Sequence, residues 1–201
     1  MCKQMATIIL TLIVSTVLVA QDLPIVNSAA YSKVYKGKEA AFEKAVSAHV
    51  SKWHGVDQWN QFGSRVMTGP RAGQYFIGTT NHYWKDYADR KTTKAHDDEW
   101  ENLVNKHVED QGGMTFFEKQ LDASYNDRSA PMWEAVAYYT KPGKRGTMLE
   151  ILKKGANANR RVRYDGSTGV YSQISGGEQN GILLVIYSCL LYTSPSPRDR
   201  G

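Results

Sequence analysis

The feature that most limits what this chain can fold into is an internal repetition. The turn Lys36-Gly37-Lys38 corresponds to Pro142-Gly143-Lys144, and the helical stripe Phe42, Ala45, Val46 to Met148, Ile151, Leu152, all at an offset of 106 residues. Farther on, Met67-Thr68-Gly69 corresponds to Ile174-Ser175-Gly176 and Tyr75-Phe76-Ile77 to Ile182-Leu183-Leu184, at an offset of 107. One residue of drift across two elements is what a duplicated gene segment leaves behind, and a repeated unit must fold twice by the same rules.

The first copy sets the element order. Ile25 to Tyr35 is rich in Val, Ala, Tyr and Ser and reads as a strand closed by a turn at Lys36-Gly37-Lys38. Ala41, Phe42, Ala45, Val46, His49, Val50 and Trp53 then recur at three- and four-residue spacing, the stripe of an amphipathic helix that Gly55 ends. Period two takes over from Val56 to Thr80 on either side of Thr68-Gly69-Pro70, which predicts a hairpin. A short helix opens at Tyr83, Trp84 and Tyr87. A longer one follows Thr92-Thr93, carries Trp100, Leu103, Val104, His107 and Val108 on one face, and stops at Gly112-Gly113. Met114 to Tyr125 is a fourth strand. Strand, helix, strand, strand, helix, strand is the ferredoxin-like split arrangement.

Both ends of the chain are set apart from the fold. Residues 1–20 have a basic start, an apolar stretch from Met5 to Val19 and Ala20 at the exit, the pattern of a secretory signal peptide. The run from Cys189 to Gly201 resembles the translation of a transposase-type sequencing adapter, so 188–201 is read as an adapter-derived tail. The expected organisation is therefore a signal peptide at 1–20, a complete unit at 21–125, an incomplete second unit at 126–187 and the tail. The counterpart of Asn81 to Tyr125 would begin near Ser188, which leaves the second unit without its second helix and fourth strand. Its edge is then unpaired.

Composition matters here mainly for what it excludes. The two cysteines are Cys2 and Cys189, so the segment between signal and tail has neither disulfide nor thiolate chemistry. The formal charge of +5 falls to +3 without Lys3, Arg198, Asp199 and Arg200, too little to argue for nucleic acid. No GxGxxG, Walker loop, GxSxG or HExxH is present, which removes the hydrolase, nucleotide-dependent and zincin classes.

Element order, unit length and tandem repetition together resemble the dimeric α/β-barrel superfamily of ferredoxin-like domains. That superfamily contains antibiotic-biosynthesis-type monooxygenases, haem-degrading enzymes and small exported proteins. The resemblance covers about Ile25 to Tyr187 and implies an α+β fold of two tandem ferredoxin-like units packed sheet to sheet as an intramolecular pseudo-dimer. It also implies a ligand site between sheet and helices. Candidates to line that cleft are Trp100 and His107, seven residues apart on one helix face, with His49 and Trp53 on the first helix. Asn81, His82 and Trp84 form a second polar and aromatic cluster, suited to stacking on a flat ligand or to anchoring the next helix. Asn27 answers poorly to the strand Asn of haem-degrading members, and no catalytic role is carried over. His96-Asp97-Asp98-Glu99 places an imidazole beside carboxylates, but acids near a helix start serve its dipole, so no metal is expected.

The expectation is an exported protein that binds a small, largely apolar or aromatic ligand without a cofactor. It would engage no nucleic acid and no membrane after signal cleavage. A monooxygenase-like or haem-degrading enzyme using His107 or His49 is the alternative, and a structural envelope protein is a third.

Overall fold

The computed structural model describes residues 23–55, 59–128, 130–176 and 181–188. The signal segment at 1–20 and the tail from residue 189 lie outside these residues.

β1 (Val26–Val34) is buried at seven of its nine positions, as a strand covered on both faces must be. A turn with Gly37 at φ 81° leads from it into α1 (Glu39–Trp53), whose buried stripe contains Phe42 and His49. β2 (Gln61–Arg65) and β3 (Tyr75–His82) form the expected hairpin, and β3 runs antiparallel to β1. α2 (Trp84–Asp89) begins where Asp86 accepts the Tyr83 backbone N–H, and α3 (Lys94–Glu99) where Thr93 accepts that of His96.

The long helix expected up to Gly112 is not continuous. After Glu99 it widens into a π turn at Trp100–Val104, tightens into a 3₁₀ turn at Asn105–His107, and gives way to β4 (Val108–Gln111). Val104 in this run is buried but Leu103 is 47% exposed, and Val108 packs on the core from β4 rather than from a helix. β4 pairs with the end of β1 and β5 (Thr115–Lys119) with its beginning, so the two make one strand broken at Gly112–Met114. This fourth strand is shorter than expected: Leu121–Ala123 is a 3₁₀ turn.

β6 (Trp133–Tyr139), α4 (Arg145–Val162), β7 (Thr168–Gly176) and β8 (Ile182–Ser188) follow in the order of β1, α1, β2 and β3. They begin 107, 106, 107 and 107 residues after those elements. Ser188, assigned above to the tail, is the last residue of β8 and pairs with Trp133.

The strands form one antiparallel sheet in the order β2-β3-β1-β5-β7-β8-β6, with β4 beside β1. Within it, β2-β3-β1-β5 and β7-β8-β6 are ferredoxin-like orders, joined by the β5–β7 pairing from Thr115↔Gly176 to Lys119↔Tyr171. The sheet curls until Trp133 on β6 meets Phe76 on β3 edge to face, ring centroids 6.3 Å apart. The two strand sets thus face each other across a cavity of about 700 Å³, while the helices pack outside. The architecture is the expected α+β, ferredoxin-like one.

Two small cores hold the helices down. Val34, Phe42, Tyr75, Ile77 and Val104 pack under α1 and the π turn. Ala123 and Val170, with Met148, Leu149 and Leu152 of α4, form the other. Burial of a side chain such as Phe42 contributes about 1.5–3 kcal/mol. No helix among the described residues is long and apolar enough to cross a membrane.

Candidate functional site

The larger cavity, between the curled sheet faces, contains Asn27, Phe62, Phe117, Trp133 and Tyr171 but none of the five histidines. Three of the histidines line a second cavity of about 300 Å³, between the outer face of β1 and β3 and the layer of α1 and α3. Ser28, Ser32, Ile77, Gly78 and Thr79 supply its floor; His49, His54, His96 and Trp100 supply its wall. Ser28 and Thr79 are hydrogen-bonded across the floor at 3.1 Å.

The wall is built by the way two helices end. His49 is on the buried stripe of α1, only 1% exposed. His54 would point elsewhere if α1 continued, since five residues of helix rotate by about 140°. The helix stops at Trp53, however, and at φ −125° and ψ 50° His54 turns back toward His49. His96 comes from α3, held by the Thr93 cap. The Nε2 atoms of His49 and His96 lie 3.3 Å apart, as do those of His54 and His96. Ligand atoms of all three lie within 4.8 Å of one another. Trp100 stands edge-on to His49 at 5.0 Å.

Each ring also has an acceptor on its far side. His54 Nδ1 lies 2.5 Å from the Trp59 carbonyl oxygen and His96 Nδ1 2.9 Å from Asp97 Oδ1. His49 Nδ1 is 3.4 Å from Glu99 Oε1, poorly aligned for a hydrogen bond but within reach of the carboxylate's charge. Glu99 is itself fixed by Lys52 and by the Trp53 indole N–H, which donates at 2.9 Å. Burial pushes the His49 pKa down, the neighbouring His96 and His54 add to this, and Glu99 opposes it. Burial also lowers that of His54, against its bond to the Trp59 carbonyl. The Lys52 ammonium holds Glu99 below the usual carboxylate range, and His96 and Thr92 do the same for Asp97. The wall is therefore three histidine rings backed by two carboxylates and a carbonyl.

Of the residues expected to line the cleft, His49 and Trp100 do so, and Trp53 touches it through Glu99 and an edge contact with His96 at 5.5 Å. His107 does not. It lies in the 3₁₀ turn that leads into β4, outside the residues that line the cleft, and its carbonyl accepts the Tyr35 N–H.

The second cluster is divided: His82 is buried, whereas Trp84 is 45% exposed and Asn81 lines the larger cavity. His82 stacks on Trp59 at 3.8 Å, Trp84 lies 5.3 Å from Phe116, and Asn27 Oδ1 accepts the backbone N–H of Asn81, which sits at φ 62°. The helical spacing that picks out His49 does not pick out His54, and sequence alone associates His96 only with its acidic neighbours. The available signal was the pair of histidines flanking Trp53 where the helix stripe ends.

A haem group does not fit this wall. His96 Nε2 lies at hydrogen-bond range from Nε2 of both His49 and His54, so none of the three is presented singly to a flat macrocycle. Sequence spacing leads to no metal site, yet three imidazole nitrogens from separate elements converge here, a set that single-helix spacing does not reveal.

No protein-family model and no curated protein matches the chain. Among solved structures it is similar to a protein of Lactobacillus acidophilus NCFM, described as a provisional monooxygenase. The TM-score is 0.58 at 8% identity, covering 83% of this chain and 76% of that one. A protein of Fusobacterium nucleatum subsp. nucleatum described in the same way gives a TM-score of 0.55 at 20% identity, covering 84% and 77%. At such identities the likeness carries the fold alone: an antiparallel sheet with helices, of the monooxygenase-like, ferredoxin type.

Proposed function

We propose that this protein binds a small, largely apolar or aromatic ligand in the cleft between the β1–β3 face and the α1–α3 layer. The observation that carries the reading is the composition of that cleft, with Trp100 and three imidazoles facing a floor of Ile77, Ser28 and Thr79. Apolar walls with a few convergent polar groups are what ligand pockets are made of. At about 300 Å³ the cleft is at the small end of the usual range, which limits the ligand to one or two rings. The reading includes a tandem duplication, supported by the nearly constant spacing of corresponding elements. It also includes export, which rests on the pattern of residues 1–20.

Monooxygenase-like catalysis is the second reading, favoured by the descriptions of the two similar structures. An imidazole that burial keeps unprotonated, such as His54, is suited to accept a proton from a phenolic substrate.

The test is a titration of the full chain with 1-naphthol, following tryptophan fluorescence and the melting temperature. Saturable quenching, lost in Trp100→Leu, is expected. A ligand that favours the native state must raise the melting temperature, so no rise with any aromatic probe would refute the binding reading and favour a structural role. Oxygen uptake with 1-naphthol separates the enzyme from the binding protein. Haemin is expected to give no Soret shift dependent on His49 or His107.

A further inference from the structure

We infer that His49, His54 and His96 form a binding site for one divalent transition-metal ion of the zinc class, with a fourth coordination position open to the cleft. The inference does not depend on the cleft taking an aromatic ligand.

The argument starts with the protons. A backbone carbonyl can only accept, so the contact of His54 Nδ1 with Trp59 O at 2.5 Å places the proton on Nδ1. The Asp97 carboxylate does the same for His96 at 2.9 Å, and Glu99 favours the same tautomer of His49. Every Nε2 then carries a bare lone pair. Three such nitrogens converge, with Nε2 to Nε2 distances of 3.3 Å for two of the pairs, an arrangement that a single cation between them would satisfy.

The distances say which kind of cation. Tetrahedral zinc with Zn–N of about 2.0–2.1 Å sets its nitrogen ligands about 3.3–3.4 Å apart. Both short histidine pairs already stand at that separation. Calcium and magnesium take oxygen ligands, whereas imidazole suits zinc and its neighbours in the first transition row. The carbonyl and carboxylates behind the rings are the second shell that metal-binding histidines have. Three protein nitrogens and an open position make a catalytic rather than a structural arrangement. The charges around the site are the anionic Glu99 and Asp97 behind the rings, with Lys52 on Glu99 and Arg90 and Glu101 along the cleft. Two carboxylates behind three imidazole ligands suit a dication.

The experiment is a Co²⁺ titration of the chelator-treated full chain without any organic ligand. Expected are the visible d–d bands of four-coordinate cobalt, saturating at one equivalent and abolished by Zn²⁺. His54→Ala and His96→Ala should each weaken binding more than 100-fold, and Asp97→Asn by about 10–100-fold. His107→Ala, outside the cleft, should change nothing. Circular dichroism confirms that each variant is folded; if His96→Ala is not, His54→Ala and Asp97→Asn carry the test. The inference fails if no tetrahedral band forms, or if cobalt binds equally well to folded variants lacking His54 or Asp97. It also fails if nitrogen NMR of the metal-free chain finds the histidine protons on Nε2.

Discussion

Gly78 offers the sharpest test of how the site is built. It sits in β3 opposite Ala29 of β1, one residue from the point where the register between the two strands slips. A Cβ added there would lie 2.0 Å from the Ser28 carbonyl oxygen and 2.6 Å from the Ala29 Cβ. Real Cβ contacts stay beyond 3.0 Å, so the strands would have to separate by about 1 Å at the centre of the sheet. The obstacle is backbone and cannot rotate away. Overpacking of a core costs about 1–3 kcal/mol, and Gly78→Ala belongs at the top of that range. About 3 kcal/mol corresponds to a fall of about 6–12 °C in melting temperature for a chain of this size. Gly63 on β2 is the control, because its added Cβ would meet only Ile77 Cγ1 at 3.8 Å. Gly63→Ala should be neutral or stabilising by up to about 1 kcal/mol, since alanine restricts the unfolded chain. Differential scanning calorimetry on the two variants measures the contrast. Equal melting temperatures for both would refute the claim that close approach of β1 and β3 requires glycine.

Phe42 is 1% exposed and packs on Tyr75 at a ring distance of 4.8 Å, so Phe42→Ala should cost about 3–5 kcal/mol in a urea melt. Asp127 joins Lys119 at 2.8 Å and accepts the Tyr171 hydroxyl at 2.9 Å, tying the linker to β5 and β7. Partial exposure of this pair limits the loss for Asp127→Ala to about 1–2 kcal/mol; an unchanged urea midpoint would show that the tie contributes nothing. Burial lowers the pKa of His82, so the unfolded state takes up its proton first on acidification and stability falls as pH drops below about 6.5. The slope is at most about 1.4 kcal/mol per pH unit, and it should shrink in His82→Gln. Burial and the bond to Glu43 push Tyr75 up to about 12, so its share of stability is full below pH 10 and is lost between pH 10 and about 12. Tyr75→Phe should flatten that alkaline limb.

Sequence periodicity revealed what depends on local pattern. The α1 stripe from Phe42 to Trp53, the hairpin around Gly69 and the order of β6, α4, β7 and β8 all appear where spacing predicts them. Breaks in periodicity were not legible. Nothing in Trp100 to Val104 marks a π turn, because an apolar stripe looks alike whether four or five residues fill the turn, and so spacing does not show that His107 lies outside the cleft. The same limit hid the histidine wall. His54 joins His49 only because the chain leaves the helix between them, and His96 arrives from an element 47 residues away from His49. Pairing of β5 with β7 was likewise unreadable, since strand neighbours in a sheet are chosen by tertiary geometry.

The π turn also bears on how this protein can change length over generations. A turn closed by i→i+5 bonds stores one residue more than its α counterpart, so deleting one residue between Trp100 and Val104 would shorten the turn and leave His96 before it and β4 after it in place. The helix is thereby a stretch where a codon can be gained or lost without disturbing the sheet. Relatives of this chain that differ by one residue should carry the gap here, inside a helix, rather than in a surface loop.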